Sequence, residues 1–323
     1  MTDLSDCVAS APIMHVAAGV VFNGAGNVLI ARRPDHLHQG GLWEFPGGKV
    51  EAHETVEEAL RRELQEELAI TIGSAVPLIS VRHAYPDRQI RLEVFRVDRF
   101  DGEPAGMLGQ AFEWVKPDGL THYPFPAANR PVVTAARLPD CLGIVDINGA
   151  DRQALMRQLN NFARAGVALL RLRARSASPL EYIDLARIAA GYCKASGIRL
   201  LLDSDAQLAM ELGASGIHLS AHQLGRIDSR PADHRLFVGA SCHNLAELIR
   251  AESIGVDFAM LSPVCRTESH PDRDPIGWAL FSDWVSRVNL PVFALGGMTP
   301  GDLPVAKCHG AQGIAGIRRL CGA

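Results

Sequence analysis

The chain has 323 residues, enough for two domains at roughly 150 residues each. Its 32 Lys and Arg against 36 Asp and Glu leave a net charge of −4, and aromatics make up only 6%. That balance argues against a partner that is polymeric nucleic acid, a membrane surface or a base-stacking single strand. Seven scattered cysteines without a C-x-x-C pair point to reduced thiols rather than a disulfide framework or a structural zinc site. Residues 1–12 lack the basic stretch of a signal peptide, and no apolar run reaches the ~20 residues that span a bilayer. A cytoplasmic protein acting on small molecules, and not on a membrane, is therefore expected.

Residues 14–22 and 27–33 are apolar, β-rich runs separated by Asn23-Gly24-Ala25-Gly26, which predicts a hairpin. Residues 55–68 contain no Gly or Pro and are rich in Ala, Leu, Glu and Arg, which predicts a helix. Residues 82–88 lead into a strand at 89–100, where Ile90, Leu92 and Val94 alternate with Arg91 and Glu93; another strand falls at 111–116. Antiparallel strands with one inserted helix make an α+β layer. From about Cys141 the rhythm changes. Short apolar runs at 142–147, 168–172, 199–202, 216–219, 236–240, 258–261, 291–295 and 313–317 alternate with helical patterns such as 154–165, 179–195, 245–254 and 281–288. Eight strands with crossovers predict an α/β (β/α)8 TIM-type barrel, with a doubly wound sheet as the alternative. The join at 130–140 has no low-complexity linker, so the expected domains are 1–138 and 141–323.

The densest chemistry lies in Glu44-Phe45-Pro46-Gly47-Gly48-Lys49, Glu54 and Arg62-Glu63-Leu64-Gln65-Glu66-Glu67. Glu63, Glu66 and Glu67 stand at i, i+3 and i+4, on one helix face. Alone, such glutamates are ordinarily a solvated face. Crowded together they repel unless a cation sits among them, and Mg2+ suits oxygen ligands while keeping waters for substrate phosphates. Gly47 and Gly48 allow close backbone approach and offer a carbonyl ligand. Arg62 pairs with Glu54 and holds the helix to the preceding loop.

At every charged position this spacing resembles the Nudix box. Its one departure is Ala69 in place of the family glycine, which should alter the helix exit slightly. From about Met14 to Leu138 the chain resembles the MutT-like Nudix hydrolases, which cleave 8-oxo-dGTP to 8-oxo-dGMP and pyrophosphate. Further matching pieces are Arg32-Arg33, His38, Pro86-Asp87-Arg88, Asp101-Gly102-Glu103-Pro104 and Phe125-Pro126-Ala127-Ala128-Asn129. The resemblance implies a Nudix fold and Mg2+ (with Mn2+ as an alternative ion) on Glu63, Glu66, Glu67 and the Gly47 carbonyl. It implies Glu63 as general base and Glu54 orienting Arg62. It also implies a nucleotide pocket of Arg33, His38, Phe45, Tyr85 and Arg88, with Asn129 reading the oxidised guanine edge. Taken alone, Asn129 would cap the helix before Pro131. Where the family places a metal-assisting glutamate this chain has Leu108, which cannot bind a cation, so that either activity is reduced or Glu113 or Glu103 substitutes.

The second half, about Cys141 to Leu320, resembles the thiamine-phosphate synthase and TenI family. The resemblance rests on Gly213-Ala214-Ser215-Gly216-Ile217-His218-Leu219, Gly239-Ala240-Ser241-Cys242-His243, Leu261-Ser262-Pro263-Val264 and Gly296-Gly297-Met298-Thr299-Pro300. Synthase metal positions hold Asp203-Ser204 and Gln223, and His270 stands for a lysine, so diphosphate-displacing chemistry is not expected. His243 matches the TenI proton-moving histidine, or else is a surface residue beside a helix N-terminus. Gly296, Gly297 and Arg318 fall in the last two βα loops, where barrels hold phosphate. Three functions follow: a nucleotide-pool sanitising hydrolase for DNA repair with a phosphate-binding barrel, a thiamine-pathway enzyme acting on a diphosphate and a thiazole phosphate, or a hydrolase regulated by a barrel that senses thiamine phosphates.

Overall fold

The computed structural model describes residues 13–36, 39–107, 109–267 and 274–321. Contacts divide the chain into two units, Met1–Leu138 and Pro139–Ala323.

In the first unit, β1 (Ile13–Val21) is buried on both faces over its second half, where small and branched apolar residues occupy both sides of the strand. Ala17 and Val21 join one core; Ala18 and Val20 join the other. β1 is the hub of a sheet ordered β4 (Gly47–Lys49), β1, β7 (Gln89–Val97) and β6 (Val76–Ala84). A second sheet runs β3 (Trp43–Glu44), β2 (Val28–Arg32) and β9 (Phe112–Val115), and β5 (Thr71–Ile72) pairs with β8 (Phe100–Asp101).

Helix α1 (Val56–Leu68) starts at a capping box in which Thr55 and Glu58 satisfy each other's backbone N–H groups. Its Ala59, Leu60, Leu64 and Leu68 pack on one side of the strands. Val132, Val133, Ala135 and Ala136 of α2 (Arg130–Arg137) pack on the other.

Three expectations change here. The turn after β1 forms, with the Asn23 carboxamide oxygen accepting from Ala25 and Asn27, but β1 and β2 share only the Phe22–Val28 bridge before diverging into separate sheets. The sheet is also mixed, because β1 runs parallel to β7 over nine residue pairs. Finally, Ala69 does not perturb the helix exit: it takes the left-handed conformation itself, at φ 56°, and donates to Gln65 O at 3.1 Å.

In the second unit eight strands close a parallel barrel in sequence order: β10 (Cys141–Asn148), β11 (Leu169–Arg175), β12 (Arg199–Leu202), β13 (Gly216–Leu219), β14 (Phe237–Cys242), β15 (Phe258–Leu261), β16 (Val292–Leu295) and β17 (Gly313–Gly316). Helices α3 (Arg152–Arg164), α4 (Pro179–Ala195), α5 (Ala206–Glu211), α6 (Ala221–Leu224), α7 (Leu245–Ser253), α8 (Gly277–Val285) and α9 (Leu303–Cys308) connect them. Leu155, Leu159, Leu185, Leu248 and Phe281 of these helices share one core with the strand residues Val145, Leu172, Val238 and Ile314. The helix expected at 281–288 begins four residues earlier, at Gly277, whose φ of 70° admits the entering turn.

Candidate active site

The two glycines of β4 set the distance between sheet and helix. Gly47 has φ 146°, and a Cβ there would lie 2.1 Å from the Ala17 carbonyl oxygen. A Cβ on Gly48 would lie 2.2 Å from the carboxyl carbon of Glu63. The close approach lets the Gly47 N–H donate to Glu67 Oε2 at 3.4 Å.

Arg62 organises the rest of the helix face. It donates to Glu54 through Nη2 at 2.8 Å and Nε at 3.2 Å, to the Lys49 carbonyl at 3.0 Å, to Glu63 at 2.9 Å and to Glu66 at 3.3 Å. This is the expected clamp between helix and loop. The Arg62 hydrogen bonds hold the Glu54 carboxyl below its usual range. Glu66 is 60% exposed on Arg62, whereas Glu63 and Glu67 line a cleft of about 310 Å³. Burial, reinforced by the neighbouring Glu44 and Glu63 charges, pushes Glu67 up to about 7.

The same cleft is lined by Arg33, Phe45, Tyr85, Arg88 and Asn129. Phe45 is buried and stacks on Phe125 with centroids 5.3 Å apart. Tyr85 and Arg88 come from the β6–β7 turn, closed by Tyr85 N–H to Arg88 O at 2.8 Å. Asn129 makes no side-chain cap bond to α2, so capping does not account for it. His38 and Leu108 lie outside the described residues.

The acids expected in place of the one missing at 108 are Glu103 and Glu113. Glu103 is exposed, and Glu113 accepts from the Tyr123 hydroxyl at 2.7 Å; neither lines the cleft. Glu44 does, bonded to Arg33 and pushed above the usual carboxylate range by burial against the opposing pull of that arginine. Glu44 lies just before the box, and nothing local in the sequence announces its partner eleven residues away.

In the barrel, a mouth cavity of about 350 Å³ gathers Asp146, Arg175, Thr267, Gly296, Gly297 and Arg318. Gly297 has φ 72°, and a Cβ there would lie 2.6 Å from Arg266 O. His243 is not among the lining residues; its Nδ1 lies 3.6 Å from Glu247. Below the mouth, Arg171 is 5% exposed and donates to both Asp203 oxygens at 2.7 Å and to Ser241 Oγ at 3.2 Å. His218 Nε2 lies 2.9 Å from the same Ser241 hydroxyl. Since β11, β13 and β14 are not all neighbours, this network crosses the barrel interior. Asp203 and Gln223 are thus committed elsewhere, the first to Arg171 and the second to the cap of α6, where it accepts from Ser220. His270 lies outside the described residues.

Among the described residues no helix is long and apolar enough to cross a membrane. The family model for thiamine monophosphate synthase matches residues 142–320, and that for the NUDIX domain matches 17–135. An "8-oxo-dGTP diphosphatase" of Escherichia coli is 41% identical over 120 residues, covering 37% of this chain and 93% of the relative. One from Proteus vulgaris is 50% identical over 90 residues, covering 28% and 80%. A "Putative thiamine-phosphate synthase 2" of Aquifex aeolicus is 33% identical over 162 residues, covering 50% and 87%. The chain belongs to the Nudix hydrolases through its first unit and to the thiamine monophosphate synthase/TenI family through its barrel.

Proposed function

We propose that the first unit hydrolyses 8-oxo-dGTP to 8-oxo-dGMP and pyrophosphate with a divalent cation, Mg2+ or Mn2+. The observation that carries this reading is the single cleft in which Phe45, Arg33, Arg88 and Asn129 face the same space as Glu63 and Glu67. The relatives named as 8-oxo-dGTP diphosphatases support it.

The residues fit a cation. Glu67 is a half-buried carboxyl beside two further acids, a donor set that a cation would suit. Glu63, Glu67 and the Gly47 carbonyl would hold it, with Glu66 swinging from Arg62 to join them. When bound, the ion neutralises phosphate charge and lowers the pKa of a bound water. Glu63 takes the proton of the attacking water, and Glu54 keeps Arg62, and through it Glu63, in register. Phe45 gives the base an apolar face, and the Asn129 carboxamide pairs with a purine edge through one donor and one acceptor. Arg33 and Arg88 supply the cations that an anionic nucleotide needs.

The barrel binds a small phosphorylated ligand in this proposal, a thiazole or thiamine phosphate being the class its family match supports. Asp203, locked on Arg171, and His243, turned to Glu247, speak against synthase or tautomerase work. Initial rates on 8-oxo-dGTP, dGTP and thiamine diphosphate with Mg2+ test the proposal. A thiamine diphosphate rate more than about tenfold higher, a barrier difference of ~1.4 kcal/mol, would transfer the assignment to the thiamine reading. Unchanged hydrolysis by Glu66→Gln at saturating Mg2+ would remove Glu66 from the ligand set.

A further inference from the structure

Helix α1 ends where its chemistry is densest. The last carbonyls of a helix have no partner within it, and its final turn frays unless donors from outside reach them. Here a loop at 102–111 supplies donors: Ala105 N–H donates to Leu68 O at 3.0 Å, and Glu67 O accepts from Met107 N–H at 3.0 Å and from Gln110 Nε2 at 3.0 Å. The loop can serve because it is itself held. Gly102, at φ 99°, passes so close to the helix end that a Cβ there would lie 2.8 Å from Ala69 O. Gly109, at φ 75°, closes a turn by donating to Gly106 O at 3.0 Å. Beyond it Arg32 N–H donates to Ala111 O at 2.8 Å, where β9 joins β2. Glu67 is therefore gripped twice, its carboxylate by the Gly47 N–H and its backbone by the loop. Two of these loop donors are backbone groups that almost any residue supplies. The third is a side chain, Gln110, which also lines the cleft.

We propose that Gln110 is a positioning residue for the divalent cation, holding the Glu67 backbone so that its carboxylate is in place before the ion arrives. An acid on a frayed turn has to be ordered when the ion binds, whereas one whose own carbonyl is tied down is ordered in advance. A carbonyl only accepts, so only a donor at position 110 can make this bond. The inference rests on the reading of Glu67 as a ligand of the cation.

The test compares Gln110→Met, Gln110→Glu and Glu67→Gln with the unaltered full chain. Methionine has no donor and an ionised glutamate only accepts, so both changes at 110 break the bond at nearly constant side-chain length. The readouts are the calorimetric Kd for Mn2+ without nucleotide, hydrogen–deuterium exchange over residues 63–70 without cation, and the Mg2+ concentration for half-maximal hydrolysis of 8-oxo-dGTP. Both variants at 110 are expected to raise the Mn2+ Kd and the half-maximal Mg2+ by about tenfold, the lower end of what losing the partner of a metal-ligand residue costs. Exchange over 63–70 should quicken while KM for the nucleotide at saturating Mg2+ stays within about twofold. Gln110→Glu is the decisive variant, because by charge alone a further carboxylate beside the cleft draws a cation in. Tighter or unchanged Mn2+ binding by Gln110→Glu overturns the inference, as does unchanged binding by Gln110→Met. If Gln110→Met melts early, the isosteric Gln110→Glu decides by itself. An unaltered chain that binds Mn2+ no better than Glu67→Gln overturns the reading of Glu67 as a ligand, and the inference with it.

Discussion

Gly48→Ala separates the packing of the Nudix unit from its chemistry. The added Cβ would stand 2.2 Å from the Glu63 carboxyl carbon and 2.2 Å from its Oε1, whereas ordinary contact begins near 3.4 Å. The Glu63 carboxylate must therefore retreat by more than an ångström. What gives way is the end of a flexible side chain rather than backbone, so the expected stability loss is small, about 1 kcal/mol or less. The same retreat opens the 2.9 Å bond from Arg62 and moves the proposed base away from the scissile phosphate. A misplacement of that size costs about a hundredfold, so kcat/KM for 8-oxo-dGTP should fall by two orders of magnitude while Tm moves by only a few degrees. The contrasting variant is Gly47→Ala, whose Cβ meets the Ala17 carbonyl at 2.1 Å with φ 146°; it should fail to fold stably. Steady-state kinetics and thermal melting of the two variants decide the matter. Activity within threefold of the unaltered chain for Gly48→Ala would refute the placement of Glu63 at the working end of the cleft.

Ala69→Gly should stabilise the first unit by about 1 kcal/mol, because alanine at φ 56° carries a left-handed strain that glycine does not; urea midpoints measure it. Arg171→Met should cost about 3 kcal/mol or more by denaturant unfolding, since it strands the Asp203 carboxylate and removes a partner from Ser241. Glu67 has its folded pKa raised from 4.5 to about 7, so its stabilising contribution is complete below about pH 4.5 and lost as pH rises through 7. Without divalent cation the first unit should lose about 2 kcal/mol over that window, and Glu67→Gln should remove this dependence in pH-resolved melting.

The barrel was readable because its strands announce themselves locally. Arg199–Leu202, Gly216–Leu219 and Phe258–Leu261 are short apolar runs bounded by polar turns, and each is buried along nearly its whole length. β6 is harder to see. Val76, Pro77, Arg82 and Ala84 are exposed, a bulge falls between Pro77 and Ile79, and the buried residues follow no strict alternation. At the site, the bond from Arg62 to Glu54 was foreseeable because the loop acid and the helix arginine lie in one contiguous cassette. Helical spacing could not tell Glu66 from Glu63 and Glu67, since Arg62, one turn earlier, draws Glu66 toward solvent. Pairings such as Arg33–Glu44 and Arg171–Asp203 depend on strands brought together by the fold, and no local periodicity encodes them.

The start of the barrel has a consequence for modularity. Lys307, 6% exposed, places its ammonium 2.6 Å from Asp140 Oδ1, and the Asp140 carbonyl accepts from Ile314 N–H at 2.9 Å on the last strand. Two residues earlier, Leu138 is 2% exposed and its N–H donates to Ala135 O at the end of α2. Leu138 and Asp140, on either side of Pro139, thus each bond back into their own unit. A barrel begun at residue 141 would lose the carboxylate beside the buried Lys307 ammonium, while one begun at 139 keeps it. A barrel cut from this chain is therefore to be begun at Pro139 rather than at the first residue of its first strand.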